Sequence, residues 1–400
     1  MMNFIYSAFL MSGVYKTLLL VFKISSIDIT LVLGLLLVMK IITDLVLRKF
    51  GFKKDIIIIL SLFLFFVFSL IITLNYTISE KYCYIKLFKF STCVIAFMYP
   101  LLIKKININN LLDIIVVQIM FFSGAFIFLY QFYYKSNVQI FSYMNFDPAQ
   151  IGGMSLQVGF FIGFALLLSI IQKRTLRAII FFIFLILTGA KGPIIFSCLS
   201  IIIMIPFIIT KRVSIKVDIK KKHGLILILC LIILISLGNI TGKVKYVHEM
   251  AYRSVSRLAM IFSDDKGASV NDRIEHIKTA LKYIADKPVL GYGIGSYNYI
   301  VYGIDGRGYP HNIILELWFE AGLMGLLSFI LLYNYVIIRT YIYKCTNMSI
   351  LLIYQFLTAL TSSNLSDLRF FFAFISITFL ISCNQKINVI NLRSENVVTS

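Results

Sequence analysis

Residues 56–75 read IIIILSLFLFFVFSLIITLN, a run without one charged side chain. About 20 consecutive apolar residues are what a helix needs to cross a hydrocarbon core. Apolar runs of this kind recur along the chain, at 3–22, 27–47, 84–103, 111–132, 151–171, 178–190, 192–210, 224–241, 311–338, 349–365 and 367–383. With 56–75 they make twelve, and at about 20 residues per crossing they would use about 60% of the chain. The composition agrees: 60% of the 400 residues are hydrophobic, only 14% are charged, and the mean hydropathy is +0.91. Soluble domains lie nearer 45–50% apolar and about 25% charged. A soluble enzyme, a disordered chain and a nucleic-acid-binding domain are excluded. The expected fold is an all-α polytopic membrane protein with about 12 transmembrane helices.

The net charge of +20 suits nucleic acid only in a soluble protein; here the excess gathers in short loops between apolar runs. Cytoplasmic loops carry such an excess. One alternate set of loops and tails holds nineteen Lys and Arg, among them Arg48, Lys49, Lys104, Lys173, Lys211, Lys344 and Lys386. The opposite set holds five near the run ends: Lys23, Lys81, Lys135, Lys191 and Arg369. Both termini are therefore expected in the cytoplasm, with residues 242–310 as a large loop on the outer, periplasmic face between helices 9 and 10. The expected organisation is helices 1–9 over 1–241, the loop over 242–310, helices 10–12 over 311–383 and a cytoplasmic tail over 384–400. The first run lacks a basic leader and a small-residue cleavage site, so it reads as a retained helix. The six cysteines are scattered without a CxxC, which implies neither a disulfide framework nor a metal site.

Within the loop, 246–262 and 272–285 have helical apolar spacing. Ser269 and Asp272 form a capping pattern before the second stretch, and Asp286-Lys287-Pro288 ends it. The run Gly291-Tyr-Gly293-Ile-Gly295 has no βαβ context and reads as a flexible turn rather than a nucleotide loop. Three of the four histidines, His248, His276 and His311, fall on the outer side, at spacings that match no zinc motif.

The densest polar stretch starts at Pro310-His311-Asn312 and carries Glu316 and Glu320. Asn312, Glu316 and Glu320 are four apart and stack on one helix face. Two carboxylates there mean either a polar cavity or pairing with lysines of neighbouring helices. His311 suits a general base, since a neutral imidazole can accept a hydroxyl proton near neutral pH; the alternative is an interfacial histidine without a task. Lys191, Arg253, Arg257 and Arg273 are basic residues that could meet on the outer side, holding a diphosphate or lipid headgroups. Asp367 either caps the last helix or walls the cavity.

These residues resemble the O-antigen ligase and polymerase superfamily of bacterial membrane glycosyltransferases. Tyr309-Pro-His311-Asn312-x-x-Leu-Glu316-x-x-x-Glu320-x-Gly322-x-x-Gly325 is similar to the family's His-Asn-x-x-Leu-Glu signature. Asp272-Arg273 through Ala280, with Asp286 to Gly295, resembles its arginine-led helix and glycine turn. Thr188-Gly189-Ala190-Lys191-Gly192 falls where the family has a Thr/Ser-x-Arg segment, with lysine in place of arginine, and Leu365-Ser366-Asp367 resembles a further family element. The resemblance implies glycan transfer from undecaprenyl diphosphate without metal, nucleotide or other cofactor, at the bacterial inner membrane. It implies His311 as base on the acceptor hydroxyl and Arg273 as diphosphate ligand, with Lys191, Arg253, Arg257, Asn312, Glu316, Glu320 and Asp367 as substrate-binding candidates.

The expected partners are undecaprenyl-diphosphate-linked oligosaccharide donor and acceptor and membrane lipids, with a chain-length regulator protein as a candidate, and no nucleic acid. The Tyr-Pro-His-Asn form followed by Leu-Glu resembles polysaccharide polymerases more than ligases, which move finished chains to lipid A core. A lipid-linked oligosaccharide transporter is a third reading, for which Lys16, Lys40, Asp44, Lys86 and Lys89 are candidate buried charges.

Overall fold

The computed structural model describes residues 1–21, 28–47, 54–103, 106–135, 148–209 and 268–398. The expected ninth crossing at 224–241, the helical pattern at 246–262, Arg253 and Arg257 lie outside the described residues. All regular structure among the described residues is helical. Among the described residues five helices are long and apolar enough to cross a membrane: Ile29–Val46, Lys54–Asn75, Tyr82–Leu102, Ile108–Ile127 and Ile313–Ile342. Shorter apolar helices cover Ser155–Ile171, Thr175–Thr188, Lys191–Ile203 and Asn347–Ser362.

The chain forms two compact units, Met1–Leu33 with Asn107–Lys266, and Gly34–Ile106 with Gly267–Ser400. In the first, the expected single helix over 3–22 is two, α1 (Met2–Leu10) and α2 (Ser12–Val21), broken at Met11 (φ −102°, ψ 13°). Ser12 and Gly13, both weaker helix formers than the apolar residues around them, follow the break. Among the described residues this unit also contains α6 (Ile108–Lys135), α7 (Pro148–Ile171), α8 (Thr175–Thr188) and α9 (Lys191–Ile209). Ser7 donates to Gln118 Oε1 (2.6 Å) between α1 and α6. Gly189 ends α8 in the left-handed conformation (φ 65°), so α9 can begin two residues later. Pro193 in the first turn of α9 costs that helix no internal hydrogen bond.

The second unit contains most of α3 (Ile29–Val46), together with α4 (Lys54–Ile71), α5 (Tyr82–Leu102), α10 (Ala268–Asp286) and α11 (Tyr297–Tyr302). It ends with α12 (Ile313–Ile342), α13 (Asn347–Ser362) and α14 (Arg369–Val398), the last running past the expected end of its apolar run at 383. The core between α4, α5, α12 and α14 is aromatic. Phe63 stacks on Phe97 (3.8 Å between centroids), Phe66 on Phe372 (5.9 Å), and Phe329 closes on Phe66 (5.7 Å). Buried aromatic rings give the largest apolar area per side chain, and offset or edge contacts add about 0.5–1.5 kcal/mol per pair. Below the core, Arg339 reaches Asp55 (3.3 Å), and Lys386 reaches the same carboxylate (2.9 Å).

α10 starts at Ala268, so Ser269 lies inside the helix rather than at its cap. Its apolar face, with Ala280 and Ile284, packs with Tyr292, Tyr297, Leu315 and Phe319. The glycine run is a fixed structure, not a flexible turn. α12 is broken at Gly322, whose φ of 59° and ψ of −159° are open only to glycine. The break frees main-chain groups. Phe319 O accepts from Tyr292 N–H (2.8 Å), Glu320 O accepts from Gly293 N–H (2.9 Å), and Leu323 N–H donates to Val289 O (3.0 Å). Contact is so close that a Cβ on Gly291 would stand 2.6 Å from Phe319 O, and one on Gly322 would overlap Val289 O. On its other side the turn is tied to the connection between α4 and α5, with Tyr76 Oη donating to Leu290 O (2.8 Å) and Thr77 Oγ1 to Ile294 O (2.9 Å).

Candidate active site

The docked turn brings α10 beside the segment that leads into α12. Arg273 and His276 are three apart on α10 and so share a face. The His276 ring lies 5.4 Å from that of His311, and the His311 ring lies 4.4 Å from that of Tyr309. Tyr297 and Tyr302 hold His276: its Nδ1 is 3.2 Å from Tyr297 Oη and 3.4 Å from Tyr302 Oη. Arg307 stands 5.7 Å over the Tyr309 ring and donates from Nη2 to Asp367 Oδ2 (2.8 Å). His311 itself is a non-glycine residue at positive φ (56°). Such residues are uncommon, with histidine among the more tolerant types. Strain of this kind clusters at functional sites.

The electrostatics follow from that neighbourhood. Partial burial pushes the His311 imidazole from its ordinary 6.5 down to about 4, and the positive fields of His276, Arg273 and Arg307 push the same way. His311 is therefore neutral at physiological pH. Burial also lowers Arg273, which keeps its charge all the same. Among the described residues, no carboxylate lies within ion-pair distance of Arg273. The site thus holds a neutral proton acceptor between two guanidinium groups.

The other residues expected at the site have different occupations. Asn312 is the N-cap of α12, its Oδ1 accepting from Ile314 N–H (3.0 Å) and Leu315 N–H (3.2 Å). Glu316 and Glu320 share one helix face, as their spacing requires, but no open cavity lies between them. Lys86 of α5 is fully buried against both, at 2.5 Å from Glu316 Oε1 and 2.6 Å from Glu320 Oε2. Glu316 Oε2 also accepts from Leu365 N–H (3.0 Å). Of the two readings open at Glu316 and Glu320, pairing with a lysine is the one found.

Asp367 Oδ2 accepts from Arg307, and Asn364 caps the turn at Leu365–Asp367. Lys191 belongs to the first unit, where it opens α9. No group of three or more His, Cys, Asp or Glu suited to a metal occurs among the described residues. Sequence reasoning missed Arg307 and the task of Lys86. Arg307 was detectable as a charge flanked by Gly306 and Gly308, two residues from Tyr309 and four from His311. Lys86 had only its position inside an apolar run to mark it.

Residues 176–330, which include Lys191, Arg273, His276, Arg307 and His311, match a family model described as O-antigen ligase. Over that stretch the chain is similar to the O-antigen ligase family. Comparison with curated proteins gave no match. The matched segment ends at residue 330, inside α12, so Lys86, the partner of Glu316 and Glu320, and Asp367, the partner of Arg307, both lie outside it.

Proposed function

We propose that this chain is a membrane glycosyltransferase of the O-antigen ligase and polymerase superfamily that polymerises undecaprenyl-diphosphate-linked oligosaccharide repeat units into O-antigen or capsular polysaccharide on the periplasmic face. The observation that carries the reading is His311, neutral and half-buried, beside an Arg273 that no carboxylate among the described residues neutralises. A base for a sugar hydroxyl must be deprotonated, and a diphosphate needs fixed positive charge; these two residues supply both.

In the proposed step the acceptor hydroxyl oxygen attacks the anomeric carbon of the donor. Its proton passes to His311, the carbon–phosphate-oxygen bond breaks, and undecaprenyl diphosphate leaves. Direct attack inverts the anomeric configuration. Undecaprenyl diphosphate is a competent leaving group, so the protein supplies mainly placement and charge. A base at about 4 is weak in the free protein, but the incoming diphosphate offsets the positive fields that depress it. Donor binding therefore strengthens the base. Lys191, Arg253 and Arg257 are further diphosphate-binding candidates in this reading.

A second reading is the ligase, which transfers the finished glycan to lipid A core, and the description of the matching family model favours it. Surface polysaccharide from a deletion strain, complemented with wild type, His311→Ala or Arg273→Ala at checked expression, separates the two. Core with a single repeat unit identifies a polymerase. Bare core with accumulated lipid-linked chains identifies a ligase. Full activity of both variants would overturn the assignment of the site.

A further inference from the structure

The segment from Asp305 to Asn312 is fixed at both ends. At its start the Asp305 carboxylate accepts from Ser79 Oγ (2.6 Å) and Lys81 N–H (2.8 Å) at the entry to α5. At its end Asn312 caps α12. Between the anchors residues 307–310 have no helical or turn hydrogen bonding. Arg307, Tyr309 and His311 stand in series there, guanidinium over ring and ring beside imidazole.

Besides its contact with Tyr309, Arg307 has one ion pair among the described residues, 2.8 Å to Asp367, with both side chains about half exposed (55% and 50%). Exposed pairs of this kind contribute little to stability. An anion with several oxygens on one centre fits the guanidinium fork better than a single carboxylate oxygen does. Across His311, Arg273 has no counter-ion among the described residues. The site therefore presents two guanidinium groups and one loosely held carboxylate.

We propose that Arg307 is a second ligand for a phosphate-bearing anion at this site, and that Asp367 is its exchangeable counter-ion, displaced when the anion binds. The inference rests on the glycosyl-transfer reading, in which the anion is the diphosphate of the lipid-linked donor. Phospholipid headgroups share this phosphate chemistry, so the test separates the two sources. Exchange also answers a question of selectivity: Asp367 neutralises Arg307 while no donor is bound, which keeps stray anions away from His311.

The test is titration of undecaprenyl diphosphate into the full chain in phosphatidylcholine nanodiscs, for wild type, R307A, R307K, D367N and R273A, each checked for monodispersity and thermal transition. R307A is expected to bind about tenfold more weakly or worse, the loss of one charge-assisted hydrogen bond, with R307K between it and wild type. D367N is expected to bind more tightly, by up to about fivefold, because the competing carboxylate is gone. A purely structural Asp367 would give the opposite sign, and weaker binding by D367N overturns the exchange. Wild-type affinity in R307A and D367N with loss in R273A overturns the inference and leaves the glycosyl-transfer reading standing. Displacement by equimolar phosphatidylglycerol assigns the site to headgroups and overturns the donor assignment. No binding by wild type sinks both.

Discussion

Two charge clusters of the second unit differ in one respect. Lys86, Glu316 and Glu320 are buried and satisfied, the ammonium between two carboxylates and one carboxylate also holding the Leu365 N–H. Arg273, His276, Arg307 and His311 are half-exposed, and among the described residues a single carboxylate, Asp367 on Arg307, is ion-paired with any of them. Both clusters draw on the same polar stretch of sequence, 305–320. A saturated cluster has no valence left for a ligand, so its work is to hold elements together. An unsaturated one keeps its hydrogen-bonding capacity for something else. The difference separates residues that fix the fold from residues that can do chemistry, although the sequence writes them side by side.

The comparison breaks most visibly at His311. His311→Asn keeps a residue type that tolerates positive φ. Transfer measured with purified protein and lipid-linked donor should fall about 10²–10⁴-fold, the usual contribution of a general base, while the thermal transition stays close to wild type. Lys86→Met should do the reverse of this at the level of stability. Removing one partner of a buried ion cluster costs about 3–5 kcal/mol, which would appear as a lower unfolding temperature in detergent. The triple change Lys86→Met, Glu316→Gln, Glu320→Gln should recover much of that loss, because no buried charge is then left alone. If the triple variant is no better than Lys86→Met, the triad is not the saturated structural cluster described above.

Gly322→Ala tests the docking of the loop into α12. A Cβ there overlaps Val289 O and the backbone angles exclude it, so a cost of about 1–3 kcal/mol from strain alone is expected. Limited proteolysis between 287 and 313 should become faster in that variant. The smallest effect is in pH dependence. The acid limb of kcat/KM reports the free enzyme and should lie near pH 4 rather than 6.5. Replacing His276 by Ala removes one of the fields that depress His311, and the limb should move up. The same depression has a stability side. The folded protein resists protonating His311, so that contribution is complete above about 6.5 and is lost as pH falls from there towards 4.

Most of the helices were legible because apolar runs bounded by charge are a local signal. Runs at 27–47, 84–103 and 349–365 coincide with helices to within a few residues. His311 and Arg273 were legible as candidates because a histidine and an arginine in a polar stretch stand out against an apolar chain. What the sequence left open was partnership. Lys86 is 230 residues from Glu316, and nothing local announces that their side chains meet. Spacing put Glu316 and Glu320 on one face without telling a cavity from a salt bridge. The break at Gly322 was hidden for a related reason: its cause is the distant pairing with 289–293, and the surrounding residues are ordinary helix formers.

That break has a bearing on the order in which the protein is made. A helix interrupted at Gly322 leaves Phe319 O, Glu320 O and Leu323 N–H without helical partners, and free main-chain groups are costly in an apolar setting. Their partners, Val289, Tyr292 and Gly293, emerge from the ribosome about thirty residues earlier, as synthesis runs from the N-terminus. By the time α12 is complete, the groups that accept its kink have already been synthesised. Reversing that order in a circularly permuted chain would force α12 to wait, kinked and unpaired, for its other half.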